Sequence, residues 1–318
     1  MKEILLLLVM FWNVENYFDT YDNPSTTDEE FTPTGDNRWS RKRFEKKRDD
    51  IAKTIFLAAD QYGELPALIG LAEIENAFVL EELLEDTPLA RIQYNYIHKE
   101  SPDSRGIDVA LLYREDIFTP LETKYIGFSF PTRDVLYTKG VVNGLDTLHI
   151  MVNHWPSKRG NEKSSGQKRE YVSLKVSHVV DSILIQNPAA NIILMGDFND
   201  TPYSSPLKNL GQLENLAQRA EGAEGTYKYR ESWSMIDQFL VSENLIKVGE
   251  PENGKNRRFS HQWIYTPGNM EIFAHEALFA EDATYMGVKP KRTYSGPRYL
   301  GGISDHLPIM LKVFGEEK

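Results

Sequence analysis

The stretch MGDFND, Met195 to Asp200, follows the apolar run Ile192-Ile193-Leu194 and precedes Pro202. Two aspartates, an asparagine and a glycine thus stand at the mouth of what reads as a buried strand. Gly, Asn and Asp all favour tight connections, so taken alone the segment is equally well a turn. Its reading depends on partners elsewhere in the chain.

Working outward, six other stretches have the same form, a short aliphatic or β-branched run with polar residues at or near one end: ILLLLVMFWNV, PALIGLAEIEN, GIDVALLY, LDTLHIMVNHW, SMIDQFLVS and DHLPIMLKVF. An open sheet could collect those ends at one edge. Between them lie two amphipathic helical patterns. RKRFEKKRDDIAKTIFLAAD places Phe44, Ile51 and Ile55 at helical spacing, and QKREYVSLKVSHVVDSILIQN does so with Val172, Val176, Val179, Val180 and Ile183. The segment from Thr20 to Trp39 is polar, turn-rich and non-periodic, and predicts a long surface loop at about 20–40. Lys247 to Gly302 predicts loops and a few short strands. LIGLAEIEN faintly echoes IILMGDFND, as two related halves would, although convergent strand-end chemistry accounts for the echo equally well.

Composition narrows the function classes. The 318 residues suffice for a large core, and a quarter of them are charged, which excludes wholesale disorder. A formal net charge of −11 disfavours a protein that coats duplex nucleic acid through many phosphate contacts, without excluding nucleic acid as a substrate. The basic runs Arg38–Arg48 and Lys158–Arg169 read first as solvated faces or loops. The absence of cysteine excludes disulfides and thiolate metal sites. The opening MKEILLLLVMFWNVENYFD is short for a membrane span and lacks a small-x-small cleavage pattern, so it reads as a buried first strand. A cytoplasmic location is the expectation, with an exported form as the alternative if a leader precedes this sequence.

The polar residues that end these strands are Asn13, Glu73, His154, Asp197, Asn199, Asp237, Asp305 and His306. Each has a bland role open to it: Asn13 as a turn cap, His154 as a satisfied core histidine, Asp237 as an acceptor for a nearby backbone donor. As a set they are harder to dismiss. Burying so many carboxylates together costs several kcal/mol each unless a cation or hydrogen bonds compensate them. An oxygen-rich set without thiolates suits a hard ion, Mg²⁺ or Mn²⁺, which keeps waters and accepts phosphate oxygens.

In order, FWNVENYFD, LAEIEN, RGIDVALLY, VNHWPSKRG, ILMGDFND, SMIDQFLVS and ISDHLPI resemble the endonuclease/exonuclease/phosphatase superfamily with the DNase I-like fold, from Asn13 to Pro308. GDFN and SDHLP are the most specific of these motifs, and the ENxFD, RGIDVALLY and HWPSxRG segments look like a bacterial branch described as endonucleases or phosphatases. The resemblance implies an α/β fold: a four-layer α/β/β/α sandwich of two mainly antiparallel sheets, formed by residues 1–318 as one domain. It implies Glu73 as principal metal ligand with Asp305 in support, Asn13 orienting Glu73 or the scissile phosphate, and Asp197 accepting the proton of the attacking water. Asn199, on the same face as Asp197 if the chain stays extended, would hold that water or a phosphate oxygen. His306 and His154 would touch non-bridging oxygens, with Asp237 holding His306 and Asp108 doing the same for His154. Arg105, Lys158 and Arg159 would contact phosphate or substrate.

The expected reaction is in-line attack by water on a phosphate ester. The leading substrate is nucleic acid. The alternatives are a small-molecule, phosphoinositide or sphingomyelin-like phosphate ester, and a non-catalytic binding protein on the same fold. Trp12, Tyr17, Trp39, Trp155, Trp233 and Tyr229 could stack bases, or serve as packing. Ala72 stands where many nucleases of the superfamily carry glutamine. Glu75 and Asn76 could shape a second ion site or cap the next helix.

Overall fold

The structure, a computed structural model, describes residues 4–144, 146–158, 162–246, 264–266 and 268–316. The long elements of its first half are β1 (Ile4–Tyr17), α1 (Arg41–Tyr62), β2 (Pro66–Ile74), α2 (Ala77–Glu85), β3 (Tyr94–His98) and β4 (Asp108–Arg114). Then come β5 (Phe118–Ile126), β6 (Val135–Val142), β7 (Asp146–His154), α3 (Glu162–Gln186), β8 (Asn191–Asp197), α4 (Ser205–Lys208) and β9 (Leu213–Asn215). Short hairpins and one long strand complete the chain: β10 (Tyr227–Tyr229), β11 (Ser232–Ser234), β12 (Asp237–Ser242), β13 (Ile264–Tyr265), β14 (Glu271–Ile272), β15 (Phe279–Glu281), β16 (Val288–Pro290), β17 (Tyr294–Ser295), β18 (Arg298–Tyr299) and β19 (Ile309–Glu316).

All seven strands read from the sequence are present. A seven-stranded sheet runs β13-β19-β1-β2-β4-β3, with β14 also on β19, and a six-stranded sheet runs β5-β6-β7-β8-β12-β9. Pairing is antiparallel except for one parallel pair near the middle of each sheet, β1 with β2 and β7 with β8. Each parallel pair needs a crossover, which α1 and α3 supply. These strands are buried on both faces, which is why they read as continuous apolar runs instead of alternating ones.

The sheets face one another across a core that includes Phe11, Leu71, Ile150, Ile193 and Met195. They lie close at Gly70, where an added Cβ would come within 3.0 Å of the Met195 side chain. Helix α1 lays Phe44, Ile51 and Ile55 on the outside of the first sheet, and α3 lays Val172, Val176 and Val180 on the outside of the second. The result is the expected α/β/β/α order. Among the strands not foreseen, β3, β5 and β6 lack an aliphatic run, and β9, β10 and β11 have only three residues each. Strands β3 and β5 lie on sheet edges, β3 half-buried and β5 largely solvated, and β6 is interrupted by Lys139-Gly140. Helix α2 is capped by Asn76, whose side chain accepts from the Val79 amide at 3.1 Å, so Asn76 takes the capping role.

The 20–40 segment is irregular apart from a single turn at Glu29–Phe31, but it does not simply run over the surface. Trp39 is fully buried and donates its indole N–H to the Phe18 carbonyl at 3.0 Å, and the Phe31 ring stacks on Phe18 at 4.3 Å. Two aromatic anchors in a polar sequence leave no periodicity to read.

Candidate active site

The C-terminal ends of β1 and β2 break register opposite one another, between Asn13 and Tyr17 and between Ala72 and Ile74. At these irregularities Glu15, Asn16 and Glu73 take positive φ, at 50°, 53° and 64°. Such conformations cost on the order of 1–3 kcal/mol each and mark places where the surrounding structure overrules local preference. The gain is orientation. Glu73 Oε2 accepts from the Asn16 amide at 2.8 Å, and its Oε1 lies 3.4 Å from Asn13 Nδ2. Asn13 is fixed in turn, because its Oδ1 accepts from the Glu15 amide at 2.9 Å.

From the other sheet, β8 ends on Asp197. The parallel register with β7 sets His154 beside it, and the antiparallel register with β12 sets Asp237 on its other side. Gly196 permits this closeness: a Cβ there would lie 2.4 Å from the Asn153 carbonyl oxygen. Asp197 Oδ2 is the point of convergence. Asn13 Nδ2 lies 3.1 Å from it, His154 Nε2 3.7 Å and His306 Nε2 3.8 Å. His306 Nδ1 meets Asp237 Oδ2 at 2.8 Å, and its backbone is held by Ser304 Oγ and by the Trp12 indole.

Two expectations need correction. Asn199 does not share a strand face with Asp197, because the chain turns after Asp197. Asn199 has φ 50°, donates its amide to Asp197 Oδ1 at 2.8 Å and its side-chain N–H to the Trp155 carbonyl at 3.0 Å. The turn, not strand periodicity, brings the two together. Asp108 does not serve His154. It accepts from the Ser101 amide at 2.9 Å and lies 3.5 Å from His98 Nε2, because the register of β4 against β3 turns it that way.

The charge states follow from this packing. Burial, reinforced by Asp237, pushes Asp197 up to about 7. Burial also works to raise Glu73, but Arg105, His306 and the Asn16 amide overcome it and hold this carboxylate below its usual range. Burial would neutralise His306, yet Asp237, Asp197 and Asp305 keep it cationic well above the ordinary histidine range. His154 is driven the other way by burial and by Arg133, Arg105 and His306, and is neutral. Its buried Nδ1 has no hydrogen-bond partner, so Nε2, facing the carboxylates, carries the proton.

A divalent ion fits this donor set. Ligand atoms of Asp197, Asp237 and His306 lie within 4.8 Å of one another, but cationic His306 has no lone pair to give an ion, so the ligands must be carboxylates; Asp237 Oδ1 is buried without a hydrogen-bond partner. Access separates the carboxylates. The side chains of Asp197 and Asp237 are 2% and 1% exposed, whereas those of Glu73 and Asp305 are 14% and 18% exposed. A hydrated ion that also holds a substrate needs the open pair. Asp305 Oδ2 is engaged by Arg292 at 2.8 Å.

At the rim, Arg105 donates to Asn16 Oδ1, and its charge helps hold the Glu73 carboxylate down. Lys158 is half exposed and pairs with Asp200 at 3.1 Å, while Arg159 lies outside the described residues. Trp12, Tyr17, Trp39 and Trp155 are buried packing, which removes them as stacking surfaces; Trp233 is half-buried and Tyr229 is exposed.

Several supporting residues escaped the sequence reading. Lys47, within the basic run read as solvated, is buried and donates to the Glu15 carbonyl at 2.5 Å, Thr293 Oγ1 at 2.7 Å and the Ile303 carbonyl at 2.7 Å. It falls on the apolar stripe with Phe44 and Ile51, so helical periodicity could have singled it out. Arg133 bonds Asp103 at 3.0 Å and the Trp155 carbonyl at 2.8 Å, and Arg169 pairs with Asp200 at 3.1 Å. No local pattern marks either.

With this geometry in place, comparisons can be read against it. A model of the Endonuclease/Exonuclease/phosphatase family matches residues 8–314. No functionally curated sequence matches the chain. Among solved structures, an endonuclease/exonuclease/phosphatase family protein from Bacteroides thetaiotaomicron is similar with a TM-score of 0.59 at 14% identity, covering 99% of this chain and 100% of its own. A mannosyl-6-phosphatase from the same species gives 0.58 at 14% identity, covering 96% and 99%. TDP2 of D. rerio, solved with a single strand DNA product, gives 0.54 at 16% identity, covering 97% and 98%. At such identities the likeness concerns the fold.

Proposed function

The chain belongs to the endonuclease/exonuclease/phosphatase family, and from that premise we propose that it is a divalent-metal-dependent phosphoesterase that hydrolyses a phosphodiester by in-line attack of water, with nucleic acid as its substrate. The observation that carries this reading is the convergence of Asn13, His154 and His306 on Asp197 Oδ2, with Asp237 behind His306. Family members generally use divalent metals. Here Glu73 and Asp305 would hold Mg²⁺ or Mn²⁺, which when bound supplies charge to offset the negative charge growing on phosphate oxygens.

The remaining work falls to side chains. Asp197, pushed up to about 7, is matched as a general base near neutrality and takes a proton from the attacking water as its oxygen bonds to phosphorus. Asn199 orients that water through its side-chain carbonyl. The bond from phosphorus to the leaving oxygen breaks on the opposite side, and that oxygen leaves with a proton drawn from solvent. Cationic His306 and the Nε2–H of neutral His154 donate to the non-bridging oxygens, in a site already dry enough to make such donors strong. Asp237 fixes the His306 ring. Arg105 and Lys158 meet the flanking phosphate.

A second reading, a phosphatase for a small phosphate ester, draws on the acidic net charge of −11 and on the similarity in fold to a mannosyl-6-phosphatase. The test is hydrolysis of bis(p-nitrophenyl) phosphate with Mg²⁺ or Mn²⁺, with Asp197→Asn as control, followed by plasmid, single-stranded DNA, RNA and sugar phosphates. Turnover of sugar phosphates alone would replace the first reading by the second. No turnover with any metal would overturn both.

A further inference from the structure

The β10–β11 hairpin grows directly out of the catalytic pair. Tyr227 bridges to His306, the Leu307 amide donates to the Thr226 carbonyl at 2.8 Å, and Asp237 follows three residues after the end of β11. Its two faces differ in a way the strand period makes plain. On one face, Lys228 and Trp233 are cross-strand partners, and Lys228 reaches the second hairpin through Asp282 at 3.1 Å, the Met286 carbonyl at 3.0 Å and the Val288 carbonyl at 3.1 Å. That face braces the hairpin. The other carries Tyr227 and Tyr229, each opposite a serine, Ser234 and Ser232. The Tyr227 ring lies 5.0 Å from the His306 ring, and Tyr229, one repeat further out, is 61% exposed.

A large aromatic ring held out on a braced hairpin, with only a small side chain across from it, is a shelf. Residues two apart on a strand are separated by about 7 Å, so the Tyr229 ring stands roughly one nucleotide step from the Tyr227 ring that covers His306. The Arg230 guanidinium lies 5.3 Å from the Tyr229 ring, which places a positive charge at the same spot. We propose that Tyr229 is a stacking subsite for a planar nucleobase carried on the ester bound at His306, with Arg230 meeting an adjacent phosphate. Stacking on such a ring needs no base identity, so the subsite favours nucleotide over sugar phosphate without reading sequence. The inference rests on the phosphoesterase reading only for which group is bound at His306.

The test uses the full chain and two ligands that differ only in the base, thymidine 5′-monophosphate and 2-deoxyribose 5-phosphate, titrated calorimetrically into wild type, Tyr229→Ala and Tyr229→Phe. Wild type should bind the nucleotide about tenfold more tightly than the sugar phosphate, the range expected for one base on one aromatic ring. Tyr229→Ala should abolish that preference while leaving the sugar phosphate affinity unchanged, and Tyr229→Phe should keep it. A wild type without the preference, or a Tyr229→Ala protein that retains it, overturns the proposal. Because binding is read directly, a preference that vanishes in Tyr229→Ala supports the shelf even if no ester is hydrolysed, and in that outcome only the catalytic reading falls.

Discussion

Replacing Gly196 by alanine should disable the site through the backbone, removing none of its polar side chains. Gly196 and Asn153 are paired across the parallel β7/β8 register, one step before His154 and Asp197. An alanine Cβ would sit 2.4 Å from the Asn153 oxygen and 2.6 Å from its Cβ, where ordinary contact begins at 3.4 Å, so the strands must part by about 1 Å. Overpacking of this kind costs about 1–3 kcal/mol. The functional loss is larger in proportion, because Asp197 must stay within reach of Asn13, His154 and His306, and a displacement of about 1 Å in a positioned group lowers the rate roughly 100-fold. Urea unfolding and the Mn²⁺-dependent hydrolysis of bis(p-nitrophenyl) phosphate read the two effects separately. Gly63→Ala supplies the control. Gly63 caps α1 at φ 75° with nothing within 4 Å of the added Cβ, so it should lose about 1 kcal/mol of stability and no activity. A Gly196→Ala protein with kcat within about twofold of wild type would refute the close-approach argument, since the expected loss is far larger.

Asp237→Asn should lower kcat about 100-fold or more and move the alkaline limb of the pH–rate profile to lower pH, because His306 loses the carboxylate that keeps it cationic; an unmoved limb would show that Asp237 does not set the charge. Glu75, pushed up to about 8 by burial and by Asp19 and Asp28, keeps a proton in the folded state that the unfolded chain releases from about 4.5 upward. Its contribution is therefore complete at low pH and lost as pH rises through that window. Urea midpoints of Glu75→Gln and wild type should agree near pH 4 and diverge in favour of the variant toward pH 8, by at most about 1.4 kcal/mol per pH unit. Lys47→Met should cost about 2–6 kcal/mol in urea unfolding, since the Glu15 and Ile303 backbone carbonyls stay buried without their donor; a neutral effect would mean that the lysine is not needed to hold the β1 end.

What the sequence disclosed follows a physical division. Strands buried on both faces need long aliphatic runs, so β1, β2, β4, β7, β8, β12 and β19 were all legible, together with the polar residues that end them. Edge strands such as β5, with Glu122 and Lys124 in solvent, carry no such run. The site was legible as a set of residue types, and in Asp197, Asp237 and His306 the structure brings distant members of that set together. Its geometry was not. Glu73 points into the cleft through a left-handed residue that only tertiary pairing enforces, and Asn199 arrives by a turn that strand periodicity does not foresee. Partnership was least legible of all. Asp108 and His154 are both strand-end residues, but the β3/β4 register gives Asp108 to Ser101 and His98 and leaves Arg133 near His154.

The parallel pairs explain why the polar ends meet at all. In an antiparallel pair one strand ends where its neighbour begins, so two strand ends cannot share one edge. A parallel pair places two C-termini side by side. This chain makes that arrangement once in each sheet: β1–α1–β2 delivers Asn13 and Glu73, and β7–α3–β8 delivers His154 and Asp197. The faint echo between LIGLAEIEN and IILMGDFND is thus matched in topology, since each stretch is the second strand of such a unit. The antiparallel neighbours add residues from their starts, Asp237 at the head of β12 and His306 just before β19. Facing the two sheets across one core then brings both edges to the same rim, and the Asn13–Asp197 bond at 3.1 Å is where the units join. Asn13→Ala should consequently lower activity while each sheet keeps its own register. Amide exchange protection lost in β8 as well as activity would instead show that the bond holds the two sheets together.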